Sequence, residues 1–298
     1  MKKAGMRNRV AVEDMAKKAT ASIAETISTD TAESEERKEG SHSGKTPYFV
    51  DRLTMEAKGW GLSFGESGTQ PYGNASKEEL AQYDAYFLGG AKEKILYLTF
   101  DCGYENGNTE AILDALQAQD VKAAFFVVGH YLESAPELVQ RMVAEGHTVG
   151  SHTYHHPDVN TLGEEEFLAE MEALQEKFTQ VTGEELAMYY RPPEGNCGIE
   201  NLTMAQDAGY TTVFWSLAYV DWDPKKQPSH KEALEKLTER VHPGAVVLLH
   251  NTSQTNGEIL EELLIRWKDM GYEIRPLSDL AETESQGGSC EKTDILLY

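Results

Sequence analysis

The strongest constraint on the fold of this chain is a regular alternation of two sequence patterns between residues 91 and 280. Short apolar runs rich in β-branched and aromatic residues are typical of buried strands, and amphipathic segments that often end in glycine are typical of helices. Parallel strands need such helical connections. The alternation therefore predicts an α/β fold with about seven strands, either a barrel or an open doubly wound sheet. The predicted strands are KILYLTF (94–100), KAAFFVV (122–128), HTVG (147–150), AMYY (187–190), TTVFWS (211–216), AVVLLH (245–250) and YEIR (272–275).

The flanking segments differ in composition from this region. Residues 1–45 are polar and small, with too little apolar surface to repay the entropy of ordering, so we predict a disordered N-terminal segment. Residues 46–90 hold aromatic side chains among turn residues and predict an irregular N-terminal arm packed on the main domain. Residues 281–298 predict a flexible tail, which leaves 91–280 as the main domain.

Composition excludes several classes of function. The chain carries 27 basic against 50 acidic residues, a formal net charge of −23, and nucleic-acid binding would need clustered basic residues. The glycine-containing segment GYENGNTEAI (103–112) lacks both GxGxxG and GKS/T, so we expect no nucleotide. No apolar run is long enough to predict a transmembrane helix, and the basic start lacks the apolar part of a signal peptide. The three cysteines do not make a disulfide framework, and we expect a monomer.

Chemically reactive side chains follow five of the predicted strands. Active sites of α/β barrels and open sheets form at the carboxyl ends of the strands, so this distribution favours a functional site there. Each residue alone also has a structural explanation as a helix cap, an ion pair or a turn residue. Thr109 is the predicted cap of the first helix, which leaves Asp101 free for chemistry. The residues at the five strand ends are Asp101 with Cys102, the histidines of SHTYHHPD (151–158), Arg191, Asp221 with Trp222, and His250.

Three histidines lie within five residues, at positions 152, 155 and 156. His152 and His156 would share one face if the segment turns helically, and neutral imidazoles are good zinc ligands. His155 could replace His156 at a spacing of three, and a polar loop without metal is the structural alternative. Pro157 disfavours the right-handed helical conformation for His156, so the local turn is expected to end there.

Five segments, in the order TFDCG, SHTYHHPD, YRPPEG, AYVDW and VVLLH, resemble the five motifs of the polysaccharide deacetylases, the NodB-homology group of carbohydrate esterase family 4. GWGLSFGESGTQP and YDAYFLGG in the arm resemble the sporulation subgroup. Those enzymes deacetylate N-acetylmuramic acid of peptidoglycan on the route to muramic δ-lactam of spore cortex. The resemblance implies a distorted (β/α) barrel of about seven strands, an amide hydrolase and a divalent metal, with zinc expected. It also implies peptidoglycan glycan strands as the partner and therefore a cell-envelope, extracytoplasmic location.

The resemblance also implies roles for individual residues. Asp101 matches the general base that deprotonates the attacking water, and Arg191 matches the arginine that orients it. His250 matches the general acid, and Asp221 matches the aspartate that tunes this histidine. His152 and His156 match the two metal-binding histidines.

Three further residues are candidates for substrate binding, and two of them match family positions. Trp222 matches the wall of the groove, Leu248 matches the pocket for the acetyl methyl, and the backbone N–H of Glu194 is a candidate oxyanion donor.

Cys102 departs from the family pattern, which has a second aspartate there to complete the metal ligands. Three alternatives remain: a thiolate ligand, a neutral filler beside a two-histidine site completed by water, or a site that cannot support metal. Cys102 therefore also allows a catalytically weak glycan-binding protein. Ala218 stands where the family has an aspartate and Glu194 where it often has a tyrosine, so a deacetylase of another N-acetylated glycan such as chitin oligosaccharides is a further alternative.

Overall fold

The computed structural model describes residues 59–280. The predicted disordered segment 1–45, positions 46–58 of the predicted arm and the predicted tail 281–298 lie outside the described residues. Within residues 59–280, no helix has both the length and the apolar character needed to cross a membrane.

Strands and helices alternate through the described part of the chain as the sequence predicts. The strands are β1 (Leu62–Ser63), β2 (Tyr72–Gly73), β3 (Ala85–Tyr86), β4 (Ile95–Cys102), β5 (Ala124–Val127), β6 (Thr148–Ser151), β7 (Tyr189–Tyr190), β8 (Thr211–Val213), β9 (Ala245–His250) and β10 (Glu273–Ile274). The helices are α1 (Lys77–Ala81), α2 (Thr109–Ala118), α3 (Gly129–Ser134), α4 (Pro136–Ala144), α5 (Glu164–Thr182), α6 (Ile199–Asp207), α7 (His230–Glu239) and α8 (Gln254–Asp269). All seven predicted strands form; β9 has the predicted ends, and the other six have shifted ends.

The large sheet is parallel throughout and curls into the predicted barrel. Its strands run in the order β10–β4–β5–β6–β7–β8–β3, and β9 pairs with β4 along its other side. A parallel bridge between Leu217 and Val247 joins the segment after β8 to β9, so the curled sheet returns towards its first strands. The arm contributes β3, which pairs with β8. The predicted distorted (β/α) barrel of about seven strands is confirmed.

The two faces of the central strand β4 have different environments, because successive side chains of a strand point to opposite faces. Leu98, Phe100 and Cys102 share one face and belong to the large core cluster that packs under the surrounding helices. Tyr97 belongs to a second cluster, and Asp101 shares its face. Asp101 and Cys102 therefore point to opposite sides of the sheet.

The beginning of α2 differs from the prediction. Asn108, with no capping hydrogen bond from its side chain, precedes the helix, and Thr109 is the first helical residue. The Thr109 hydroxyl donates instead to the Glu105 carboxylate. The prediction that Thr109 caps this helix was wrong because the helix begins at Thr109 itself, and its hydroxyl oxygen accepts from Tyr131 and Asn251, each at 3.0 Å.

Candidate active site

Asp101 and His250 end two neighbouring strands at the carboxyl edge of the sheet. They are paired positions in the register between β4 and β9, so their side chains emerge on the same face. Leu248 lies two residues before His250 on that face and is 5% exposed. The strand pairing alone brings together two residues that are far apart in the sequence.

Arg191 follows β7 and is completely buried. Its Nη1 donates to Asp101 Oδ1 at 2.8 Å, its Nε to the Val213 carbonyl at 2.9 Å and its Nη2 to the Phe214 carbonyl at 3.3 Å. The guanidinium carbon lies 4.2 Å from the centroid of the Phe126 ring. These contacts fix the guanidinium in one orientation, and with it the carboxylate.

Opposing effects act on the pKa of Asp101. Burial alone would raise it, but the charge of the Arg191 guanidinium outweighs burial and lowers the pKa below its usual value. The carboxylate is therefore ionised at neutral pH, as a proton acceptor must be.

The segment that carries the histidines leaves β6 without forming a helix. Thr153 and His156 have φ values of 63° and 57°, in the left-handed region, which is costly for a β-branched residue such as threonine. The Thr153 hydroxyl donates to the His152 carbonyl at 2.6 Å and accepts from the His156 N–H at 3.1 Å. The ring centroids of His152 and His156 are 4.9 Å apart. The helical turn that would place the two histidines on one face does not form, but a strained turn pairs the same two rings. His156 avoids the right-handed helical region, as expected for a residue before proline.

Both of these histidines are neutral. His152 Nδ1 donates to the Arg191 carbonyl at 2.7 Å, which leaves a lone pair on Nε2, 3.6 Å from Asp101 Oδ2. Burial lowers the pKa of His152, and burial with the neighbouring His152 lowers the pKa of His156 to about 3. Neutral imidazoles, one oriented by a backbone carbonyl, are the form that binds divalent metals. The third histidine, His155, is paired with Glu170 at 2.7 Å and its side chain is 71% exposed, so it does not join them.

Cys102 does not face these histidines from its position on β4. It is fully buried in the large core cluster. Burial raises the pKa of its thiol well above the usual value, and the negative charges of Asp101 and Glu105 raise it further. Within residues 59–280, no group of three or more His, Cys, Asp or Glu side chains is arranged to hold a metal ion. The two imidazoles fit a divalent metal, but the thiol supplies no third ligand, so the geometry argues against the thiolate ligand and is consistent with the other two alternatives.

His250 is held by a buried aspartate on the loop after β8. Asp221, 1% exposed, accepts from the His250 N–H and from His250 Nδ1, each at 2.8 Å. Burial lowers the pKa of His250, but the Asp221 charge, with a smaller contribution from Asp101, outweighs it and raises the pKa. Since Nδ1 is engaged, Nε2 is the nitrogen left to carry a transferable proton.

The other two predicted substrate-binding residues lie on loops at this edge. Trp222, half-buried, directly follows Asp221. Glu194 lies in a 3-10 turn (Pro193–Gly195) after Arg191 with a φ of 56°, and its carboxylate accepts from Asn196 at 3.2 Å. Partial burial and the charge of Asp158 raise the pKa of Glu194. The structure shows the location of both side chains but no contact between them and the histidines.

Sequence reasoning missed Asn256, which donates to Asp221 at 2.6 Å from the first turn of α8. The available signal was Ser253, a cap three residues before Asn256 that starts the helix directly behind His250.

The family of this chain is identified by comparison with known proteins. The polysaccharide deacetylase family model matches residues 89–213. The chain belongs to the polysaccharide deacetylases of carbohydrate esterase family 4, which are hydrolases of amide bonds, so the family predicted from the sequence is confirmed.

Three relatives place the chain within this family. It is 38% identical over 232 residues to the peptidoglycan-N-acetylmuramic acid deacetylase PdaA of Bacillus subtilis, covering 78% of this chain and 88% of the relative. The solved structure of PdaA aligns with a TM-score of 0.74 over 77% of this chain and 99% of that one. A family 4 carbohydrate esterase from Bacillus anthracis is 36% identical with a TM-score of 0.62, covering 74% and 100% of the two chains. A family 4 pseudoenzyme from the same species is 26% identical with a TM-score of 0.61, covering 66% and 68%.

Proposed function

We propose that this protein removes the acetyl group from N-acetylmuramic acid residues of peptidoglycan, on the route to the muramic δ-lactam of spore cortex. The observation that carries the proposal is the pair formed by Asp101 and His250, in register on adjacent strands, each with its own buried ionic partner. An ionised base and a histidine of raised pKa are the two proton-transfer groups that amide hydrolysis needs. The substrate is proposed from the similarity to PdaA.

The reaction follows from the protonation states at the site. Asp101 takes a proton from water as the water oxygen attacks the carbonyl carbon of the acetamido group, and Arg191 holds the carboxylate in place. His250 then donates the proton on Nε2 to the nitrogen as the C–N bond breaks, which releases acetate and a free amine. The Glu194 backbone N–H is the proposed donor to the oxyanion.

His152 and His156 would hold the divalent metal, for which zinc is proposed. Such an ion would supply a Lewis acid for the amide carbonyl. We propose that water, and not Cys102, provides the remaining ligands, because the thiol lies in the core cluster on the opposite face of β4. Trp222 is proposed as a wall of the substrate groove and Leu248 as part of the pocket for the acetyl methyl.

The first experiment measures acetate released from denuded, N-acetylated peptidoglycan strands by zinc-loaded and chelator-stripped protein. We expect release from the loaded protein only, and none from the matched Asp101→Asn variant. Mass spectrometry of the product then tests the δ-lactam route, since cyclisation of the new amine onto the lactyl carboxyl expels one water. Equal release by both preparations would contradict the metal requirement, and no release by either would contradict the activity.

Two other functions remain to be separated from this one. A chitin-type substrate predicts acetate release from chitin oligosaccharides and not from muramyl glycans. A glycan-binding protein is the second, favoured by the placement of Cys102 and by the similarity to a pseudoenzyme. It predicts binding of peptidoglycan strands, measured by calorimetry, without turnover. The proposed envelope location follows from the substrate and would be tested by cell fractionation.

A further inference from the structure

We propose that Asn256 is a positioning residue for the acid pair, acting by holding the Asp221 carboxylate in the one orientation that fixes the His250 ring. This inference rests on the proposed function, in which His250 is the general acid. Asn256 is 1% exposed, so it acts through Asp221 and not by contact with substrate.

The side-chain amide of Asn256 makes hydrogen bonds at both ends. Its Nδ2 donates to Asp221 Oδ2 at 2.6 Å and to the His250 carbonyl at 3.1 Å, while its Oδ1 accepts from the Tyr219 hydroxyl. An ionised carboxylate and a carbonyl can only accept, so the amide nitrogen must face them and the oxygen must face Tyr219. The orientation of the amide is therefore determined by its partners.

Asn256 links the Asp221 carboxylate, which lies on a loop, to a regular helix. The carboxylate receives one bond from the His250 backbone N–H in β9 and one from the His250 ring that it has to orient, so its only side-chain donor besides that ring is Asn256 among the hydrogen bonds described for residues 59–280. Asn256 comes from the first turn of α8, where the Ser253 hydroxyl accepts from its N–H at 3.1 Å. A helix thus anchors a carboxylate that sits on an irregular loop, the arrangement by which supporting residues keep a site in its productive geometry.

A separate contact holds the backbone of the same loop. Gln227 Nε2 donates to the carbonyls of Asp221 and Asp223 at 2.9 Å each, and Gln227 Oε1 accepts from the Ser253 hydroxyl at 2.6 Å. Because Gln227 holds the loop, removal of the Asn256 amide leaves the loop backbone in place and leaves the carboxylate with its two hydrogen bonds from His250. Asp221 can then rotate, and the proton of neutral His250 is no longer confined to Nδ1.

The kinetic test uses zinc-loaded full-length protein and N-acetylated peptidoglycan strands. Asn256→Ala is expected to lower kcat about 10- to 100-fold, the usual effect of losing a group that orients a catalytic or metal-binding side chain, with KM unchanged. Tyr219→Phe, which removes only the hydroxyl that orients the amide, is expected to lower kcat by a smaller factor. Gln254→Ala is the matched control, since Gln254 is exposed in the same helical turn and should leave kcat unchanged.

An activity-independent readout separates this inference from the proposed function. Nitrogen NMR of the His250 ring should show the Nδ1–H tautomer in the native protein and a mixture of tautomers in Asn256→Ala. If the native protein released no acetate, the proposed function would fail while the NMR result still tested the positioning. If Asn256→Ala does not fold, the same two readouts on Tyr219→Phe decide. A kcat within about twofold of native together with an unchanged tautomer, in whichever variant folds, would overturn the inference.

Discussion

The loss of unfolding free energy on breaking the buried ion pair of Asp101 can be compared with the loss on breaking an exposed ion pair of similar length. Asp101 and Arg191 approach to 2.8 Å, with side chains that are 9% and 0% exposed. Asp114 and Arg141 approach to 2.7 Å, with side chains that are 64% and 25% exposed. The variants Asp101→Asn and Asp114→Asn therefore each remove one carboxylate charge from pairs of similar length. The pairs differ in burial, and Arg141 also keeps an ion pair with Glu145 at 2.7 Å.

Burial determines the expected difference. At 2.8 Å and an effective dielectric constant of about 20, the gross attraction in the Asp101 pair is about 6 kcal/mol. Part of it survives in Asp101→Asn, because the new amide oxygen still accepts from Arg191 and two backbone carbonyls still bind the guanidinium. Breaking a buried pair typically costs about 3–5 kcal/mol, so we expect about 3 kcal/mol here. Asp114→Asn, which breaks the exposed pair, should lower the free energy of unfolding by less than about 1 kcal/mol.

The assay is urea denaturation of both variants at neutral pH, with thermal unfolding beside it. A loss of about 3 kcal/mol corresponds to a fall in Tm of about 6–12 °C for a domain of this size. Acetate release should be abolished in Asp101→Asn and retained in Asp114→Asn. Equal free energies of unfolding for the two variants would refute the argument that burial makes the Asp101 pair strong.

Three further predictions follow from individual side chains. Burial lowers the pKa of His147 from 6.5 to about 4, so between these pH values the unfolded chain binds more protons than the folded protein. The free energy of unfolding should therefore rise by about 3 kcal/mol from pH 4 to pH 6.5. In urea titrations, His147→Gln should make this pH dependence flatter. Zinc affinity measured by calorimetry should fall at least about 100-fold in His156→Ala and change by less than about threefold in Cys102→Ala, whereas a large loss in the cysteine variant would show that the thiol is a ligand. Trp222→Ala should raise KM for glycan strands with little change in Tm, since its ring is only half-buried; an unchanged KM would remove it from the groove.

Local signals in the sequence determined most of the fold. The strand and helix patterns depend on periodicity over a few residues, which is why β9 was predicted with its observed ends, Ala245 and His250. The short helix α3 (Gly129–Ser134) was not predicted, because six residues are too few to show helical periodicity. The order of the motifs along the chain sufficed for the family, and strand-end chemistry sufficed to place Asp101 and His250 at one edge of the sheet.

Tertiary structure decided how the candidate residues are used. The predicted first strand stopped at Phe100, but β4 continues to Cys102, and the alternation of side chains along those two added residues turns the thiol away from Asp101. The rings of His152 and His156 come together because Thr153 and His156 adopt the left-handed conformation. The conformational free energy that this costs is offset by tertiary contacts, which a sequence pattern does not show. Asn256 lies 35 positions from Asp221, and only the packing of α8 behind β9 brings its amide to the carboxylate. Periodicity is local and can be read from one chain, whereas the ligands, partners and protonation of a site depend on contacts between distant segments.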